Sequence, residues 1–349
     1  MSDILTYEVL QLIWFFLWGL LWAIYFVLDG FDLGMGTLLP VLAKNEGDRR
    51  AIYQAAGPFW DGNEVWLITA GGVTFAAFPK AYAIMFSALY APLLILLFAL
   101  IFRAVSFEFR DKISSPGWKK LWDAAQFLGN FLPALLLGVA FANLFQGIPI
   151  REDGVYTGNI LALLNLYGLA GGVFFVLIFA FHGSLWLAIR TEGPLHDRAR
   201  GMAARLWPLL ALVTVLFLIL TYLYTPLYNN YLAHPALLIV PLLAVAGLLG
   251  QWLFLSKGCL AFSFAASALF IIAVTLFGVF GMFPALIPSN ISQAASITVS
   301  AAASTPMTLT IMLVVAVICV PVVILYQAWV YSLFTHKIQP EQLTSAHPY

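Results

Sequence analysis

The chain has 349 residues, 62% of them hydrophobic and only 9% charged, with acidic and basic side chains in equal number. A soluble domain carries roughly a quarter charged residues, so at a mean hydropathy of +0.95 this surface is not solvated by water, and lipid must be its solvent. The zero net charge gives no reason to expect nucleic acid or another polyanion as partner.

A helix needs about 20 mostly apolar residues to cross the hydrocarbon core. On that criterion the sequence predicts an all-α polytopic membrane protein, a single integral domain over 1–349 with nine spans. The first covers Val9–Gly36; its flank carries Asp3 and Glu8 instead of Lys or Arg, and its apolar run is too long for a cleaved leader. The second, Glu64–Phe78, is short and holds Gly71 and Gly72, so it is expected to be tilted, broken or packed deep in protein. The remaining spans are Ala81–Phe102, Leu121–Phe145, Gly158–Ala188, Ala204–Tyr224, Ala236–Leu255, Leu260–Ile287 and Leu309–Phe334. A Pro/Asn/Ser-rich stretch, Pro284–Pro306, reads as an exterior loop. The 26 glycines suit helices whose backbones approach closely in lipid.

Positive charge sets the orientation. Alternate connections and the C-terminal tail hold Lys44, Arg49, Arg50, Arg103, Arg110, Lys112, Lys119, Lys120, Arg190, Arg198, Arg200, Arg205, Lys257 and Lys337. The other connections hold only Lys80 and Arg151. The basic side is therefore expected to be cytoplasmic, with the N-terminus outside and the C-terminus inside.

Ionisable groups within a span are costly, and each needs a reason. Asp29 and Asp32, three residues apart, share a face near the cytoplasmic end of the first span. They either bond neighbouring helices or take part in chemistry. At the cytoplasmic entrance of the second span, Asp61 and Glu64 have the spacing of a capping box, with Asp61 as the cap. Carboxylates leading inward from the cytoplasm are also how proton relays are built. Arg103, closing the third span, either pairs with Asp61 or Asp29 or snorkels to the headgroups.

His182 alone among the five histidines lies within a span, and one helical histidine does not make a haem site. Cys259 and Cys319 sit in apolar runs, with no C-x-x-C motif or His/Cys cluster, so neither zinc nor a disulfide framework is indicated. No phosphate-binding loop is present. The residues alone show no catalytic constellation.

Four strings carry a resemblance: Asp29–Gly36 (DGFDLGMG), Phe59–Pro79 (FWDGNEVWLITAGGVTFAAFP), Gly138–Pro149 (GVAFANLFQGIP) and Tyr156–Gly172 (YTGNILALLNLYGLAGG). Met282–Ser289 and the stretch from Thr308 onward fit more loosely. Together they resemble subunit II of the cytochrome bd-type quinol oxidases. The resemblance implies nine helices, as two four-helix bundles plus one peripheral helix, packed on a larger subunit I. It implies a complex that oxidises quinol and reduces O₂ to water, with haem b and haem d held by subunit I and none by this chain. It further implies a multi-pass protein of the bacterial or archaeal cytoplasmic membrane, and it is compatible with a small single-helix accessory subunit and with a structural quinone or phospholipid, although no motif reports these.

In that family the Asp of the W-D-G-N block, here Asp61, lies on a proposed cytoplasmic proton route; the further expectation that Glu64, Asp29 and Asp32 stand behind it comes from the position of these carboxylates in this chain. Trp66 and Arg103 mark a candidate path for O₂ between helices. Three departures stand out: Glu64 occupies a position where Gln is familiar, Ser296–Thr305 lacks an expected Trp/Tyr-Asp pair, and the exterior connection Thr225–Pro235 is short. Two alternatives remain, a secondary transporter using Asp29 and Asp32 for a cation, and a subunit with a purely structural or assembly role.

Overall fold

The computed structural model describes residues 6–334 and 336–338; Asp3 and His347 lie outside them. In chain order its helices are α1 (Tyr7–Leu42), α2 (Glu46–Ala56), α3 (Trp60–Ala77), α4 (Pro79–Ala88), α5 (Tyr90–Phe109), α6 (Pro116–Gln146), α7 (Leu166–Arg190), α8 (Gly193–Tyr224), α9 (Tyr228–Ala233), α10 (Ile239–Ser256), α11 (Leu260–Met282), α12 (Val299–Ala302) and α13 (Pro306–Leu333). A two-stranded antiparallel hairpin, β1 (Ala285–Ile287) and β2 (Ile297–Thr298), lies between α11 and α12. Among the described residues, eight helices are long and apolar enough to cross a membrane.

Several boundaries differ from expectation, for local reasons. The expected span Ala81–Phe102 is two helices broken at Leu89, where Pro92 lacks the N–H that would bond the carbonyl four residues back. Helix α7 starts at Leu166 and not at Gly158, because the Asn165 side chain accepts from the Gly168 N–H at 2.8 Å and caps it there. Helix α8 starts eleven residues before Ala204, at Gly193, with Pro194 in its first turn. Helix α11 stops at Met282 instead of Ile287, ahead of Pro284, and the chain becomes strand β1. Helix α3 is continuous through Gly71 and Gly72, and around both glycines there is open space, so neither is packed deep in protein.

Helix α1 is the central post and packs on α3, α6, α7 and α11. Its crossing with α7 is set by glycine: a methyl group at Gly34 would overlap the Phe179 carbonyl, and one at Gly183 would come within 2.5 Å of the Met35 nitrogen. Large rings fill the space around this crossing, with Phe26 in contact with Phe141, Phe175 and Phe179. Helix α13 is peripheral. Only Leu309 of it is buried, and it holds to the body through polar contacts such as the Trp14 indole N–H to the Leu309 carbonyl, 3.0 Å.

The basic connections meet at one end. There Glu46 binds Arg110 and Lys119, Asp123 binds Arg49 and Arg110, and Asp48 binds Arg198. Burial pushes the Glu46 pKa up, but hydrogen bonds from Arg110 and Lys119 outweigh it and bring the group from 4.5 down to about 2. At the opposite end the hairpin, the Gly147–Tyr156 segment and Tyr7 are tied by bonds such as Ser289 Oγ to the Ile150 carbonyl, 2.7 Å, and the Tyr7 hydroxyl to the Ser304 carbonyl, 3.1 Å.

Candidate functional site

The in-membrane charges converge where α1, α3, α5 and α13 approach the basic end. Helix α3 turns Asn63, Trp66, Ala70, Thr74 and Ala77 inward at three- and four-residue intervals, which fixes its rotation against α1. The Trp18 indole N–H donating to Thr74 Oγ1 at 2.9 Å locks that register. With this rotation, Glu64 flanks the seam and Asp61 faces outward.

Arg103 of α5 is fully buried. Its guanidinium donates to Asp29 Oδ1 and to Glu64 Oε2, each at 2.8 Å, and lies 6.0 Å from the Trp60 ring centre. It does not snorkel. The Asp29 side chain is also 0% exposed, whereas that of Glu64 is 24% exposed, so the pair runs from the buried interior to the edge of the protein. Asp32, one turn on, accepts from Asn63 Nδ2 at 2.8 Å.

Asn63 gathers the rest of the network. Its Oδ1 accepts from the Tyr331 hydroxyl at 2.7 Å and from Gln327 Nε2 at 3.3 Å, and Gln327 Oε1 accepts from the Trp66 indole N–H at 2.9 Å. The hydrogen bonds of this branch thus run in one sense, from Trp66 through Gln327 and Asn63, and from Tyr331 through Asn63, to Asp32. Asp29 Oδ2, Asp32 Oδ1 and Arg103 Nε are buried without a hydrogen-bond partner among the described residues. Tyr25 sits close enough to Asp29 to interact with it, yet outside hydrogen-bond geometry.

Beneath the network lies an aromatic floor. Phe31 stacks on Trp186 with centroids 4.5 Å apart, and Phe59 packs on Tyr331 at 4.5 Å. Trp60 lies flat on Phe107 at 5.2 Å. These rings anchor the start of α3 two residues earlier than the capping-box reading requires. The N-cap is Phe59 and makes no side-chain bond. Asp61 lies inside the first turn and, among the described residues, accepts only from its neighbour's N–H, Gly62, at 2.7 Å, while Glu64 turns away to Arg103. The capping box is therefore not formed.

Of the expected site residues, Asp29, Glu64 and Arg103 meet directly; Asp32 and Trp66 join through Asn63 and Gln327; Asp61 stays apart on the exposed face. Sequence reasoning passed over Asn63, Gln327 and Tyr331. The signal was there: Asn63 belongs to the W-D-G-N string, and Gln327 and Tyr331 are four apart in an otherwise apolar helix. His182 is buried between the Ser267 hydroxyl at 3.0 Å and the Val27 carbonyl at 3.2 Å, its ring stacked on Phe264. Both ring nitrogens are thus occupied by protein. Among the described residues no group of three or more His, Cys, Asp or Glu could hold a metal ion. The cation that a transporter would take from solution at Asp29 is here a protein guanidinium.

The fold and the sequence have counterparts. The profile of the family "Cytochrome bd terminal oxidase subunit II" matches residues 10–334. The chain is 38% identical to cytochrome bd-I ubiquinol oxidase subunit 2 of Escherichia coli K12, over 97% of this chain and 98% of that one. It is 34% identical to cytochrome bd ubiquinol oxidase subunit 2 of Bacillus subtilis 168, over 95% and 97%. Its fold is similar to a chain in the bd oxidase structure from Geobacillus thermodenitrificans, with a TM-score of 0.74 at 16% identity, covering 93% of this chain and 98% of that one. The relatives are named as subunits of an oxidoreductase complex, and the long apolar helices make this a multi-pass membrane protein. The chain belongs to the cytochrome bd terminal oxidase subunit II family.

Proposed function

We propose that this chain is the haem-free second subunit of a quinol-oxidising, O₂-reducing complex, that it stabilises a haem-bearing subunit I, and that its carboxylates carry protons inward from the cytoplasm. On this reading the chain crosses the membrane nine times, as two four-helix bundles and the peripheral α13. Helix α3 is the ninth crossing; its 18 residues span ~27 Å. The basic end faces the cytoplasm, with the N-terminus outside and the C-terminus inside. Haem b and haem d belong to subunit I, which supplies the catalysis.

The observation that carries the proton role is the graded series of carboxylates at the basic end. Asp61 is exposed, Glu64 is partly exposed, and Asp29 and Asp32 are buried. Two of these carboxylates, Asp29 and Glu64, share a single guanidinium, and one buried oxygen each of Asp29 and Asp32 lacks a partner among the described residues, so the cluster has room to bind and pass protons. Arg103 holds Asp29 and Glu64 within one guanidinium of each other, which supports a hand-over between surface and interior. O₂, which partitions into apolar media, enters between helices near Trp66 and Arg103.

The test is oxidase turnover and cytoplasmic-side proton uptake in the assembled complex carrying Asp61→Asn or Glu64→Gln. Both changes keep the shape and remove the titrating group. The expected result is slowed turnover and slowed proton uptake with normal assembly and a normal haem spectrum. Full turnover in both assembled variants would leave the subunit a structural role only.

A further inference from the structure

An apolar cavity lies in the second half of the chain, far along the sequence from most of the charged network. Helix α8 packs mainly on α7, and α10 mainly on α11, so the two pairs meet loosely and leave about 90 Å³ open between them. The wall is almost wholly apolar, with Phe174, Phe217, Ala244, Phe270 and Val274 contributing. Its hydroxyls are already engaged. The Tyr167 and Thr221 hydroxyls bond each other at 3.0 Å, Thr214 donates to the Leu210 carbonyl at 2.7 Å, and Thr221 to the Phe217 carbonyl at 2.7 Å. A buried water needs two to four polar partners, and this wall offers none to spare. Apolar cavities of this kind stay free of water and admit small apolar guests such as xenon.

The cavity is not isolated. A smaller void of about 20 Å³ shares Phe145, Phe174, Phe217 and Val274 with it and reaches Phe141. A third, of about 10 Å³, shares Val274 with both. Phe141 also floors an open groove of about 580 Å³ between α3 and α5, beside Gly71 and Gly72. On the other side the cavity is lined by Leu218 and Val245, which are 36% and 52% exposed on the outer surface of the subunit. A string of apolar voids thus runs across the subunit, from the exposed apolar surface beside α8 and α10 toward the α3–α5 groove, through rings and not through charges.

We propose that this cavity is a binding site for a small apolar gas, with dioxygen as the physiological guest, drawn from the lipid and held apart from the Trp66 seam. The assignment of dioxygen rests on the oxidase reading above; uptake of a gas does not. A gas of this size needs no polar partner and gains only from dispersion contact with the rings, which is what this wall offers. Val274 borders all three voids, so a larger side chain there closes the string. Ala244 borders the main cavity alone among the three.

The experiment is structure determination of the purified oxidase complex under xenon pressure, for the unaltered protein, Ala244→Leu and Val274→Phe. Ala244→Leu is the milder change and keeps the test alive if Val274→Phe does not assemble. Xenon density between α8 and α10 in the unaltered complex, lost in Ala244→Leu, is the expected result. An absence of xenon there, or an ordered lipid tail or water filling the space, overturns the proposal. The KM for dioxygen is then measured, and a raised KM with unchanged kcat is expected in the variants. Xenon displaced with no change in KM overturns the link to dioxygen supply. A complex that binds xenon but consumes no oxygen sinks the oxidase reading and not the cavity.

Discussion

Arg103→Met is the substitution that most sharply probes the charged network. The guanidinium and Asp29 are both fully buried and 2.8 Å apart, so deleting the cation strands a carboxylate in a low-dielectric interior. Breaking a buried pair from one side costs about 3–5 kcal/mol. Glu64, with its side chain 24% exposed, can turn to solvent, so the loss falls chiefly on Asp29. At about 1.4 kcal/mol per tenfold, that is a drop of roughly 100-fold to several thousand-fold in the folded-to-unfolded ratio. Adding Asp29→Leu removes the stranded charge, and replacing both partners by apolar groups is commonly near neutral. The assay is unfolding of the purified complex in detergent, followed by tryptophan fluorescence, for both single variants and the double. The expected pattern is two destabilised singles and a double that recovers most of the loss. A double variant that loses as much as the two singles together would refute the pairing as the source of the effect.

Three further outcomes follow from particular contacts. Gly34→Ala forces a methyl group into the Phe179 backbone and is expected to abolish folded protein, whereas Gly72→Ala meets open space and should raise helix stability by about 0.5–1 kcal/mol; size-exclusion profiles and melting curves separate the two. Glu46 has a folded pKa below its unfolded value, so its contribution to stability is present above about pH 4.5 and is lost as pH falls toward about 2. The stability gap between the unaltered protein and Glu46→Gln should therefore close across that window, read by unfolding midpoints at each pH. Tyr331→Phe removes one donor to Asn63 while Gln327 remains, so it should cost about 0.5–1.5 kcal/mol without loss of assembly, measured by denaturant titration.

Much of the architecture was legible because membrane solvation acts on composition. Long apolar runs must be helices in lipid, since every backbone group has to be satisfied within its own segment. That is why α10 and α13 begin and end within three residues of their expected spans. Boundaries went astray where one side chain decides the matter. Asn165 delays α7, Pro92 accompanies the break at Leu89, and the hairpin after Met282 depends on a partner strand ten residues further on. The strings that carried the family resemblance now have a physical basis: Gly34 permits backbone contact between α1 and α7, and Asn63 ties α3 to both α1 and α13.

The sequence by itself determined that the chain lies in lipid, that its charges gather at one end, and that Asp29, Asp32, Asp61, Glu64 and Arg103 would sit at that end. These follow from solvation and from periodicity along single helices. Only the tertiary structure decided which charges meet. Arg103 is 74 residues from Asp29 and 39 from Glu64, and its choice of these two over Asp61 depends on the rotation of α3 about its own axis. That rotation is set by Asn63, Trp66 and Thr74 packing against helices from other parts of the chain. A helix's pattern fixes which residues share a face, but only its neighbours fix where that face points.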